Sequence, residues 1–398
     1  MEIGQLYPRL MSLVVFRGIL QDPVLKRLCA ALQALDAGAP PAPPLAEFES
    51  ALFETTVNWT RYLKTVVLED ENLFLRRQLS GGAEPALKQC LEDELSFLGQ
   101  LGAVTVDALL EALPEQAALC RFLPRWETET PDLAAAYGRR MADMGRRGYG
   151  MFAKYHVFTV ADGALVPVKY PDGQRLSQLP GYEREREKVL ANTRALLAGQ
   201  SAANVLLYGD AGTGKSSTIK AIANEFSSEG LRLIEVKKNQ LYEIPELMDT
   251  LARNPLKFIL FIDDLSFTAN DDNFAALKAI LEGSVCGRSQ NIAVYATSNR
   301  RHLIKETLSD REGDDIHESD TRQELMSLSA RFGLTVTFQR PEKQRFREII
   351  TALAAQYGVE EPEEQLMIRA EAFAIRAGGR SPRVARQFIE LCRAGVGV

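Results

Sequence analysis

One stretch, "LLYGDAGTGKSSTIKAIA" (residues 206–223), constrains this chain more than any other. It opens on a continuous apolar run, as in a strand buried on both faces, and closes on helical spacing. Between them lie three glycines, which let the backbone take left-handed angles and turn within a few residues. A strand that passes through a tight glycine loop into a helix belongs to an α/β architecture, where the helix folds back to cover the sheet. The spacing GxxxxGK[ST] is met at Gly209, Gly214, Lys215 and Ser216. In that setting Gly209 and Asp210 open a loop whose N–H groups, from Ala211 through Gly212, Thr213, Gly214, Lys215 and Ser216 to Ser217, curl around phosphate oxygens. Lys215 is expected to reach the β- and γ-phosphates, and the Ser216 hydroxyl to ligate Mg²⁺.

A second apolar strand, "FILFIDDLSF", ends in Asp263 and Asp264. Two adjacent carboxylates repel unless a cation shares their site, so Asp263 is expected in the magnesium shell and Asp264 against the attacking water. The strand "LRLIEV" lies between the two motifs in sequence, so their strands need not be neighbours in the sheet. An intervening strand can then present a polar residue between them, and "NIAVYATSN" offers Asn299. Locally, Asn299 reads equally as the N-cap of a following helix. Two arginines complete the set. Arg331 precedes the last strand in "SLSARFGLTVTF". Arg383 falls in "GGRSPRVARQF", where Ser381 reads as an N-cap and Pro382 as the first helical residue.

The remainder of the 398 residues divides by texture. The first 150 show apolar residues at three- and four-residue spacing (Phe48, Leu52, Trp59, Leu63, Val67), which predicts an all-α N-terminal domain. Pro40, Pro41, Pro43 and Pro44 are expected in a loop between helices. Residues 151–178 read as a linker. The basic and aromatic run before it (Arg139, Arg140, Arg146, Arg147, Lys154, with Tyr149, Phe152 and Tyr155) reads first as a solvated helix end, with nucleic-acid contact as the alternative. An α/β core with a five-stranded parallel sheet is expected over 179–340, and a small helical lid over 341–398. The acidic stretch from Glu306 to Asp320 lacks the glycine register of a calcium loop and reads as a solvated insertion. A net charge of −6 argues against a globally basic nucleic-acid binder. Five scattered cysteines fit reduced thiols in a cytoplasmic protein, and the apolar run "LMSLVVF" is too short to span a membrane.

This set of motifs resembles the AAA+ ATPases, over about residue 179 to the C-terminus. More narrowly, "LLYGDAGTGKSS", "FILFIDDLSF", "YATSNRRHL" and "SLSARFGL" are similar to a bacterial AAA+ family of unknown function, family 815. The resemblance implies a Walker A loop at Gly209 to Ser216, a Walker B pair at Asp263 and Asp264, and sensor residues at Asn299 and Arg383. It implies a finger at Arg331 reaching a neighbour's ATP, and an adenine-flanking segment at "LPGYEREREKV". It further implies an ATP hydrolase using ATP and Mg²⁺, working as a homo-oligomer with a shared site on a macromolecular client, protein or DNA. Asp-Asp stands where most AAA+ chains carry Asp-Glu, and Ser329 and Ala330 precede Arg331 where the narrower family has an acidic residue. No pore triplet follows the second strand, although Tyr242 is nearby, which argues against a threading unfoldase. Two other classes stay open: a phosphotransferase acting on a small molecule, and a slow ATP-gated binding module. Absence of an NKxD motif argues against GTP. Because every phosphate motif follows Gly181, a fragment starting near Ser177 is expected to bind ATP.

Overall fold

The computed structural model describes residues 3–111, 120, 122–130, 132–266, 273–282, 290–299 and 330–397. The acidic stretch from Glu306 to Asp320, the pair Arg300 and Arg301, Ser329 and Cys286 lie outside the described residues. The chain divides into two compact units, Met1–Lys154 and Tyr155–Val398.

The first unit is helical, its longest helices being Pro23–Asp36, Ala42–Phe53, Trp59–Glu69, Pro85–Gly102 and Leu133–Ala142. Their apolar faces meet around Phe48, whose ring packs edge-on against Trp59 (5.3 Å) and Trp126 (5.1 Å). Asp22 starts the first of these helices by accepting from the N–H groups of Val24 (2.9 Å) and Leu25 (3.1 Å). Leu13, Val15 and Phe16 of the apolar run are buried, and the Glu94 carboxylate accepts from the backbone N–H groups of Val14, Val15 and Phe16. The proline loop is shorter than expected. Pro43 and Pro44 stand in the first turn of Ala42–Phe53, where a missing N–H costs no hydrogen bond.

The second unit is built on one sheet. Its strands are β1 (Val157–Ala161), β2 (Ala164–Pro167), β3 (Val205–Gly209), β4 (Leu231–Val236), β5 (Lys257–Ile262), β6 (Ile292–Ser298) and β7 (Leu334–Phe338). The helices are α1 (Glu183–Leu197), α2 (Lys215–Glu225), α3 (Ile244–Leu251), α4 (Asn273–Glu282), α5 (Lys343–Tyr357), α6 (Glu363–Arg376) and α7 (Pro382–Arg393). Here the expected five-stranded parallel sheet is corrected: the sheet has seven strands in the order β2-β1-β4-β5-β6-β3-β7, and β2 runs antiparallel to β1. The two additional strands come from "VFTVADGALVP", read above as part of a linker. Asp162 (φ 51°) and Gly163 (φ 73°) form a tight hairpin turn, and β1 then pairs in parallel with β4. This pairing hydrogen-bonds a flank of β4 that would otherwise be an open edge.

Strand β6 lies between β3 and β5, hydrogen-bonded to both. The C-terminal ends of β3, β5 and β6 are therefore side by side, where an open α/β sheet holds its ligands. Helices α5, α6 and α7 pack through Phe346, Ile349, Ala370, Phe388 and Ile389, all buried in one core with β3 and β7. Among the described residues no helix is long and apolar enough to cross a membrane.

Candidate active site

The loop after β3 owes its shape to glycine at two places. Gly209 sits at φ 136°, and a Cβ there would lie 2.0 Å from the carbonyl oxygen of Phe338. Strand β7 thus approaches the loop as closely as a backbone can. Gly212, at φ 78°, lies beneath the start of α7, where a Cβ would meet Arg383 Cβ and Ser381 Oγ at 3.2 Å each. The Arg383 N–H donates to the Gly212 carbonyl (3.1 Å), and Ser381 caps α7 by accepting from the Val384 N–H (3.2 Å). The helix that carries Arg383 is thereby fastened to the loop at its first turn.

Lys215 is buried (6% exposed) and donates to the carbonyls of Gly209 and Asp210 (2.8 Å each) and to Asn299 Oδ1 (3.0 Å). Burial lowers its pKa, an effect opposed by the charges of Asp210, Asp264 and Asp263 and reinforced by Arg383. Ser216 Oγ donates to Asp263 Oδ1 (2.6 Å). Asp264 takes a left-handed backbone (φ 50°), tolerable for aspartate, and its carboxylate accepts from Asn299 Nδ2 (2.7 Å). Asn299 thus touches both the loop lysine and the second aspartate, which a helix cap would not do.

These groups line a cleft of about 480 Å³ together with Leu179, Pro180, Tyr182 and Leu353. Tyr182 is buried at φ 62°, stacks on Phe338 (5.3 Å between centroids) and donates its hydroxyl to the Gln339 carbonyl (2.5 Å). Burial pushes its phenol up to about 12. The structure therefore brings together Asp210, Ala211, Gly212, Thr213, Gly214, Lys215, Ser216, Ser217, Asp263, Asp264, Asn299 and Arg383.

Arg331 is elsewhere. Leu334 pairs with Val205 and Phe338 with Gly209, so β7 runs alongside β3 from its far end toward the phosphate loop. Arg331 precedes Leu334 by three residues. Four strand steps of about 3.3 Å each put it beyond 13 Å or so from its own loop, at the opposite end of the sheet.

Sequence reasoning missed Thr297, Gln174 and Arg386, all of which line the cleft. Thr297 Oγ1 donates to Asp263 Oδ1 (2.5 Å) and accepts from the Asp264 N–H (2.9 Å), holding the pair of carboxylates in place. Its two-residue spacing from Asn299 along β6 was a usable signal, since alternate strand residues share a face. Arg386 stands three residues after Arg383 in the same quoted stretch, a helical spacing that was a usable signal, whereas Gln174 belongs to no motif and only folding places it here.

The family profile described as "Protein of unknown function (DUF815)" matches residues 152–395. The chain belongs to that family. Its match begins just before β1, so the hairpin is part of the DUF815 region rather than of the helical unit before it. In this DUF815 chain the glycine loop follows β3 and the aspartate pair follows β5, two strands away in the sheet. A comparison with curated proteins finds no match. Among solved structures the chain is similar to the Thermotoga maritima RuvB Holliday junction branch migration motor, at 18% identity and a TM-score of 0.37, covering 56% of this chain and 67% of that one. It is also similar to the FIGL-1 AAA domain in complex with ADP, at 16% identity and a TM-score of 0.40, covering 57% of this chain and 74% of that one.

Proposed function

We propose that this chain binds and hydrolyses ATP with magnesium in the cleft above β3, β5 and β6, as a head-to-tail oligomer that couples nucleotide state to remodelling or loading of a macromolecular partner. The observation that carries this reading is the continuous chain of contacts Lys215–Asn299–Asp264, beside Ser216–Asp263–Thr297. A loop that only joined a strand to a helix would have no use for a buried lysine facing two carboxylates across an asparagine.

Each residue has a role in this reading. Lys215 turns from the Gly209 and Asp210 carbonyls to the β- and γ-phosphates, whose charge compensates for its burial. Asp264 orients the attacking water and draws off its proton as the water oxygen bonds to the γ-phosphorus and the bond from that phosphorus to the β,γ-bridging oxygen breaks, leaving ADP and inorganic phosphate. Asn299, already bonded to Asp264, fixes that carboxylate and the water relative to Lys215. Arg383 is carried to the phosphates by the docked start of α7, and Leu179, Pro180 and Leu353 supply apolar walls for the base. Ser216 Oγ and Asp263 Oδ1 are hard oxygens 2.6 Å apart, which suits Mg²⁺, an ion that takes few protein ligands and completes its shell with water and phosphate oxygens. When bound, magnesium would neutralise charge on the β- and γ-phosphates. Arg331 precedes the end of β7 that is far from its own loop, so in this reading it acts at a neighbour's γ-phosphate.

The test is nucleotide titration by calorimetry with wild type and Lys215→Ala. Wild type is expected to bind ATP with magnesium and the variant to lose binding; a wild type that binds no ATP, or a variant that binds it equally well, sinks the reading.

A further inference from the structure

A second arginine projects into the cleft from α7. Arg386 lies one helical turn beyond Arg383, at the i,i+3 spacing that puts two side chains on one face. Its guanidinium meets the side-chain oxygen of Gln174 (Nη1 at 3.0 Å), while the Gln174 amide nitrogen donates to Ser217 Oγ (3.1 Å), with the amide turned to satisfy both neighbours. Gln174 is buried and firmly set. Its N–H donates to Asp172 Oδ1 (3.1 Å), and Asn224 Nδ2 of α2 donates to the carbonyls of Asp172 (2.7 Å) and Gln174 (2.8 Å). The helix of the phosphate loop therefore holds the residue that holds Arg386.

Charge pairing separates these two α7 arginines from those around them, Arg186 included, which also lines the cleft but pairs with Glu183 (3.2 Å). Arg345, Arg347, Arg369 and Arg380 each face a glutamate within 3.2 Å. Among the described residues neither Arg383 nor Arg386 has a carboxylate within ion-pair distance. Two guanidinium groups without a carboxylate partner among the described residues, together with the Lys215 ammonium, line one cleft and call for a polyanion, and each cation holds a different station along it. Arg383 sits over Gly212 and beside Lys215, at the β,γ end. Arg386 sits over Ser217, tied to a segment that leads within a few residues into the apolar walls Leu179 and Pro180.

We infer that Arg386, set in place by Gln174, binds the nucleotide at the α-phosphate, between the base and the phosphate loop, and so retains ADP as firmly as ATP. This rests on the nucleotide reading above and assigns it a residue that reads the part common to both nucleotides. Arg386 is a binding residue and Gln174 a positioning one.

Calorimetric titration of the full-length protein with ADP and with a non-hydrolysable ATP analogue, both with magnesium, tests it. Arg386→Met keeps the packing stem and removes the charge, and is expected to weaken both nucleotides by the same factor, about 10- to 100-fold for a charge-assisted hydrogen bond. Arg383→Met is expected to weaken the ATP analogue more than ADP. Gln174→Glu is expected to lose more affinity than Gln174→Ala, because a carboxylate would pair with Arg386 and compete with the phosphate. A residue that merely braced the segment would give the reverse order, since Glu keeps the contact and Ala deletes it. Wild-type ADP affinity in Arg386→Met, a loss confined to the ATP analogue, or Gln174→Glu binding better than Gln174→Ala overturns the inference. If wild type itself binds neither nucleotide, the nucleotide reading has failed first.

Discussion

Asp263 and Asp264 are adjacent in sequence yet differently held, and that difference predicts different failures. Asp263 accepts from Ser216 and Thr297, so Asp263→Asn is expected to disturb the loop helix and the proposed magnesium position together. Asp264 accepts from Asn299 alone among the described contacts, so Asp264→Asn is expected to retain ATP while lowering turnover by about 100-fold or more. Equal loss of binding in the two variants would refute this division, and filter binding beside phosphate release reads both quantities. Another carboxylate matters for a different reason. Glu49, 2% exposed in the helical unit with no hydrogen-bond partner for either oxygen among the described residues, has its pKa raised by burial to about 7, against the opposing charge of Arg125. The folded state then binds a proton more tightly than the unfolded state. Its contribution to stability is complete below the ordinary value of 4.5 and is lost as pH rises through about 7, a difference of about 3 kcal/mol at most. Both tryptophans, Trp59 and Trp126, belong to this unit, so their fluorescence reports its unfolding. The midpoint is expected to fall between pH 5 and pH 8 in wild type and to fall less in Glu49→Gln; equal slopes would count against the assignment.

At the scale of elements, β7 and the phosphate loop meet at Gly209 without room for a side chain. Gly209→Ala is expected to force the Phe338 carbonyl away, unpair the end of β3 from β7 and cost about 3 kcal/mol or more, with loss of nucleotide binding. Thermal unfolding with calorimetric titration checks it, and a fully stable, ATP-binding variant would show that the approach is not as close as described. The hairpin changes another expectation. A fragment starting near Ser177 lacks β1, β2 and Gln174, leaving one flank of β4 without its partner. A fragment starting at Tyr155 is expected to fold and bind ATP, whereas the shorter one aggregates or binds weakly. Size-exclusion chromatography and titration of the two fragments distinguish these outcomes, and equal behaviour would make the hairpin dispensable.

For the whole molecule, the place of Arg331 is decisive. Residues at opposite ends of one sheet cannot act on one phosphate unless a second copy supplies the other half. Arg331→Ala is expected to bind ATP and scarcely hydrolyse it, a finger of this kind being worth roughly 10³ to 10⁵ in rate. Mixing Arg331→Ala with Asp264→Asn pairs a sound site with a sound finger at some interfaces, roughly a quarter of them for equal random mixing in a head-to-tail assembly. Phosphate release is expected to rise well above that of either variant alone. Activity that stays at the level of the separate variants, although the two are shown to co-assemble, would make the site self-contained.

The residues proposed to meet phosphate and magnesium were legible in the sequence alone: Gly209, Gly214, Lys215, Ser216, Asp263 and Asp264 lie at the ends of their own strands or helix, where local spacing dictates position. The same holds for Ser381 and Pro382, whose cap needs only neighbours three residues away. The five apolar strands were legible for the same reason, but not the size of the sheet. In "VFTVADGALVP" the Asp-Gly turn flanked by alternating residues was a hairpin signal, although nothing local says that a hairpin joins the edge of a distant sheet. Gln174 became a site residue only through the fold, and although Thr297 and Arg386 stand within three residues of Asn299 and Arg383, their contacts depend on which strands lie side by side and on where α7 docks. Backbone propensity acts over one turn or one hairpin, so it can place a residue at the end of an element. Which ends converge on one cleft is settled by packing between elements far apart in the chain, and that is the part of this protein that only its tertiary structure decided.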